Sequence, residues 1–184
     1  MSVLQEFSPE EHEQIIRLPF RVGMWISQSD TTGGSESASA ERDVLNTIVA
    51  AYAEDYLKSE FVQRLMEETL AKRDEWDKWS DNIAELPAEC GRLLGLLATR
   101  VPSSDVNNFK NNLMDIAIAV AMAFRETSTI AETPFDRIRS FFRILFGGFR
   151  TATADESISA AEHRALVELA NVMGINSAFI NSAA

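Results

Sequence analysis

A chain of 184 residues, 46% hydrophobic and 24% charged, is long enough to bury one sizeable core and excludes a disordered or fibrous protein. Its 28 acidic against 17 basic residues leave a net charge of -11, which repels polyanions and excludes a general nucleic-acid binder. Cys90 is alone and cannot form an internal disulfide, Met1 to Pro9 lack a signal-peptide pattern, and no run of about 18 apolar residues exists to span a bilayer, so a reducing cytoplasm is the expected setting.

Ser8, Pro9 and Glu11 read as an N-cap, a first-turn proline and a capping-box glutamate. They open a helix to about Gln28 whose apolar positions Ile15, Ile16, Phe20 and Met24 recur at helical spacing, with a kink expected at Pro19. Asp30 to Ala38 is polar, contains Gly33 and Gly34, and reads as an exposed loop. The helical period resumes from Ala40 through Leu45, Ile48 and Tyr52 to about Lys58. Ser59 caps a third helix with Phe61, Leu65, Met66, Leu70, Trp76 and Trp79 along one face and Glu67, Lys72, Arg73 and Asp74 on the other.

Pro87 starts a helix carrying Cys90, Leu93, Leu94 and Leu97, which Val101-Pro102 ends. Ser104 or Asp105 then caps the most apolar segment, Leu113 to Phe124, interrupted only by Asp115 and expected to be the central buried helix. Thr133 and Pro134 open an amphipathic stretch from Phe135 to Phe146, closed by Gly147 and Gly148. Ser159 to Glu162 form a capping box, Leu166, Leu169 and Met173 follow, and Gly174 ends the last helix. No segment alternates as a strand would, so the sequence predicts one all-α domain over residues 1–184, a bundle of about seven helices.

The two ends of the chain look alike. Leu18 to Ile26 lead through Asp30 into Glu36 to Glu41 and a helix with Leu45 and Ile48. Ile116 to Phe124 lead, after an inserted helix, into Asp155 to Glu162 and a helix with Leu166 and Leu169, one residue out of step. This predicts a pseudo-two-fold bundle with repeat halves at about 9–58 and 105–175, and extra helices at 59–100 and 134–147.

Ala154-Asp155-Glu156-Ser157-Ile158-Ser159-Ala160-Ala161-Glu162 resembles the Ala-Asp-Gly-x-Ile-Ser-x-x-Glu signature of the TerB-like family, with Glu156 in place of glycine. That family is named for tellurite-resistance proteins and also fronts some DnaJ-type co-chaperones. The first copy is looser, because an enlarged loop separates Asp30 from Glu41. The resemblance spans residues 9 to 175, least closely from 59 to 105 and over the Phe135 helix. It implies an all-helical cytoplasmic protein in stress-related or membrane-associated complexes, with an acidic cluster for a divalent metal and no established catalysis.

On that resemblance Asp30, Glu41, Asp155 and Glu162 form the candidate metal set, and their hard oxygens suit Ca2+ or Mg2+. Helix capping alone accounts for all four and ranks first, since the 12-residue calcium loop with its alternating oxygen ligands is absent. A second candidate is the basic aromatic helix 135–150. Arg137, Arg139, Arg143 and Arg150 against Asp136 give it a charge of +3, with Phe142 and Phe146 beside them, as a surface for a protein partner or an anionic membrane would have. Filling the core with the phenylalanines and pairing the arginines to surrounding acids is the favoured alternative.

Catalytic patterns are weak. His12 and His163 have no partner at metal-ligand spacing, Cys90 lies among leucines, and Gly33-Gly34 is not a phosphate loop. Trp76 and Trp79 read as core, or as a homodimer contact if exposed. The sequence thus points to a non-catalytic cytoplasmic stress-associated or scaffold protein with protein partners and no nucleic acid. Its alternatives are a helical metal-dependent hydrolase using the same carboxylates, and a peripheral adaptor at the inner face of the membrane.

Overall fold

In a computed structural model, the structure describes residues 6–29, 45–50, 53, 59–123 and 159–175. The described elements are α1 (Pro9–Ser29), α2 (Glu60–Ala71), α3 (Trp76–Trp79), α4 (Leu86–Ala98), α5 (Ser103–Ala123) and α6 (Ala160–Met173), with 3-10 turns at Arg73–Glu75 and Ile83–Glu85. Residues 45–50 are also helical, and no strand occurs among the described residues. The protein is an all-α bundle.

The helix starts follow local capping chemistry. At α1 the Ser8 backbone N–H donates to Glu11 Oε2 at 2.8 Å and the Glu11 N–H donates to Ser8 Oγ at 3.2 Å. Helix α1 continues through Pro19, which has no N–H for the Ile15 carbonyl. Beside that gap the Thr69 hydroxyl of α2 lies 2.7 Å from the Ile16 carbonyl and 2.8 Å from that of Leu65, one proton shared by two acceptors. The interruption in α1 is therefore where α2 is joined to it.

The third predicted helix is shorter than its apolar spacing implies. It ends at Ala71, where the Lys72 N–H turns to the Leu70 and Thr69 carbonyls, and Trp76 and Trp79 sit on the separate α3. The Trp76 indole N–H takes the Thr69 carbonyl at 3.1 Å, and its ring lies 4.7 Å from Phe20. Packing on α1 thus overrides continuation of the helix. Both tryptophans are buried, at 2% and 1% exposure, so the exposure that a dimer contact through them requires is absent.

Helix α5 also starts differently from the expectation. It begins at Ser103, with the Asp105 and Val106 N–H groups both donating to the Pro102 carbonyl. Asp105 instead accepts the Ser59 hydroxyl at 2.8 Å, tying the starts of α2 and α5 together. Leu113, Ile116, Ala117, Val120 and Ala121 are buried as expected of a central helix, and among the described helices α5 packs most extensively on α1. Gly23 of α1 permits close approach of another segment. A Cβ there would meet Leu45 Cδ1 at 2.3 Å.

Helix α6 has the predicted boundaries. Ser159 and Glu162 form the reciprocal capping box, and Gly174 closes the helix at φ 66°. Leu166 and Leu169 enter the same core as Leu45 and Ile48, the residues that correspond to them in the sequence repeat. The predicted loop 30–38 and the helix 134–147 lie outside the described residues, as do most of the residues predicted helical between 40 and 58.

Candidate functional site

Of the four candidate metal ligands, Glu162 is described, and Asp30, Glu41 and Asp155 lie outside the described residues. Glu162 is 3% exposed at the third position of α6, and its Oε2 accepts the Ser159 backbone N–H at 2.8 Å. One carboxylate, with an oxygen already engaged, falls far short of the roughly six to eight oxygens Ca2+ takes. Among the described residues no three His, Cys, Asp or Glu side chains converge for a metal. Replacing Ser159 by alanine is expected to cost about 0.5–2 kcal/mol in urea unfolding, because the buried Glu162 backbone N–H at the helix start loses its partner, the Ser159 hydroxyl.

The proposed partner-surface residues Arg137, Arg139, Phe142, Arg143 and Phe146 likewise lie outside the described residues. Among the described residues no helix is long and apolar enough to cross a membrane.

Several of the described charged groups hold helices together. Glu11 accepts from Arg100 at 3.1 Å, and the Ser8 backbone N–H, outweighing partial burial, holds its carboxyl below the ordinary 4.5. Glu13 takes Arg17 at 2.9 Å and also Lys72; burial pushes its carboxyl upward, but the two cations together hold it below the ordinary range. His12 Nε2 lies 2.7 Å from Glu68 Oε2, which adds another α1 to α2 contact.

Arg21 is the most heavily engaged. It is 7% exposed, its Nε donates to Glu89 at 3.0 Å, Nη1 donates to the carbonyls of Trp79 and Asp81, and Nη2 reaches that of Asn82. Asn82 has φ 52°, a left-handed turn that aims its chain at the guanidinium. One arginine thus fixes the α3 to α4 connection onto α1. Sequence reading missed it, since its partners are 58 to 68 residues away.

Cys90 is buried on α4, and burial, with Glu89 beside it, pushes its thiol up to about 12, which leaves it the inert core thiol expected.

Two polar side chains on α5 differ from all of these. Asn112 is 2% exposed and has no hydrogen bond at either end of its amide. Asp115, one turn later, is partly buried, and burial pushes its carboxyl from the ordinary 3.8 up to about 7. The sequence shows Asp115 as the interruption of an apolar run; nothing in it marks Asn112.

No known protein family, curated protein or solved structure matches the chain.

Proposed function

We propose that the chain is a non-catalytic, stress-associated scaffold protein of the TerB-like type, cytoplasmic, working through protein partners and using Ca2+ or Mg2+ near the starts of its repeat helices. The observation that supports the reading is the start of α6 and the core that it enters. The capping box Ser159 to Glu162 starts α6, whose Leu166 and Leu169 share a core with Leu45 and Ile48 of the first copy. A second support is chemical: Glu11, Glu13, Arg21 and Glu162 are committed to joining or capping helices, and Cys90 is held neutral.

In this reading the cation would be shared by Asp30, Glu41 and Asp155, with Glu162 contributing only through the oxygen its cap does not use. Calorimetric titration of the full chain with Ca2+ and Mg2+ tests this. A saturable heat and a raised melting temperature for one ion, both lost in Asp155→Asn, are expected; no heat and no shift with either ion removes the cation. Deleting the gene in its host is expected to reduce tolerance to tellurite, and unchanged tolerance would overturn the stress role.

A further inference from the structure

Asn112 and Asp115 occupy one flank of α5, three residues apart, a spacing that brings Cβ atoms to about 5–6 Å. Of their neighbours on the helix, Leu113, Met114, Ile116 and Ala119 are buried and apolar, while Asn108 and Asn111, one turn before each, are partly buried and exposed, respectively. Among the described residues neither has a hydrogen-bond or ion-pair partner. Leaving a buried amide bare costs free energy that folded proteins rarely tolerate.

Helices α1, α2, α4 and α6 all pack against α5, and their charged groups are engaged elsewhere or turned to water. On α1, Glu11 pairs with Arg100, His12 with Glu68, Glu13 with Arg17 and Lys72, and Arg21 with Glu89; these contacts also account for Glu68 and Lys72 of α2 and Glu89 of α4. Arg92 of α4 donates to Gln14. On α6, Glu162 caps its own helix and His163 has an interaction of its own. Glu10, Glu60, Arg64, Glu67, Arg164 and Glu168 are exposed. On α5 itself, Asp105 accepts from Ser59 and Lys110 acts on Cys90. Among the described residues no charge offsets the burial that raises the Asp115 carboxyl.

We propose that Asn112 and Asp115 form a proton-operated latch: while Asp115 is neutral this turn of α5 stays seated in the bundle, and loss of the proton drives the turn to open to water. A neutral carboxyl tolerates the half-dry site, whereas a carboxylate without a partner gains its hydration only in the open form. Asn112 lowers the cost of opening, because its amide gains hydrogen bonds to water and gives up none. The open form keeps the ordinary 3.8 and the closed form about 7. Opening is therefore suppressed below the first value, grows about tenfold per pH unit between the two, and levels off above the second.

Amide hydrogen exchange of the full chain between pH 4.5 and 7.5, corrected for intrinsic rates, tests the latch. Protection at α5 amides near residues 112–119 is expected to fall about tenfold per pH unit up to neutrality, while Asp115→Asn, similar in shape and without charge, holds those amides constant. A wild-type profile at α5 that is flat with pH, or a fall of the same size in Asp115→Asn, would overturn the proposal. The wild-type series decides the matter by itself if the variant fails to fold.

Discussion

Arg21→Leu is expected to lower the stability of the folded chain by about 3–5 kcal/mol, the range seen when one partner of a buried ion pair is removed. Leucine keeps much of the apolar stem but supplies no donor. The carbonyls of Trp79, Asp81 and Asn82 lose their shared partner, and Glu89, whose side chain is 19% exposed, is left with an uncompensated charge. The loop from Trp79 to Asn82 should then detach, carrying Trp79 away from Phe20, whose rings are 6.1 Å apart. Urea unfolding followed by tryptophan fluorescence measures the loss. Adding Glu89→Leu should restore part of it by removing the orphaned carboxylate, leaving the cost of the bare carbonyls. A loss under about 1 kcal/mol in Arg21→Leu would show that the loop is held by its own packing.

Asp115→Asn is expected to act in the opposite direction, raising stability at pH 7.5. The carboxyl is pushed from the ordinary 3.8 up to about 7 by burial, a difference that corresponds to at most roughly 4 kcal/mol at 1.36 kcal/mol per pH unit. The stabilising contribution of a raised carboxyl is fully present below the unfolded value and is lost as pH rises through the folded one, so the wild type forfeits it between about 4 and 7. Partial exposure of Asp115 reduces the gain in the variant to a few kcal/mol. Glu13 works the other way: its carboxyl is held low, so its contribution is present above the ordinary 4.5 and is lost as pH falls. The wild type should therefore be most stable in mildly acidic solution, and the variant should extend that range into neutral pH. Equal urea midpoints for the two proteins at pH 7.5 would contradict this.

What the sequence revealed and what it concealed divide along the range of the interactions. The caps at Ser8 to Glu11 and Ser159 to Glu162 and the glycine stop at Gly174 were legible because each is made by residues within a few positions of one another. Burial of Cys90 and of the run around Leu113 followed from apolar neighbours on the same helix. The break after Ala71 was not legible. The apolar spacing from Phe61 to Trp79 continues in helical step across it, and the turn is made by Trp76 reaching back to Thr69 and packing on Phe20 from another helix. Arg21 reads as one more arginine between two apolar residues, and only the folded chain brings three carbonyls and Glu89 to it. On α5, Asp115 was visible as an interruption, while Asn112 in a run of asparagines gave no sign that it would be buried and bare.

Among the described residues, the charged groups that join or cap helices stand apart from Asn112 and Asp115 on α5, which do neither. Carbon-detected NMR titration of the side-chain carboxyls in the folded chain tests that division most directly. Asp115 should titrate above pH 6, and Glu11 and Glu13 below their ordinary 4.5. An Asp115 that titrates near 4 with the other acids would mean that its site is open to water, and the account of α5 would fail.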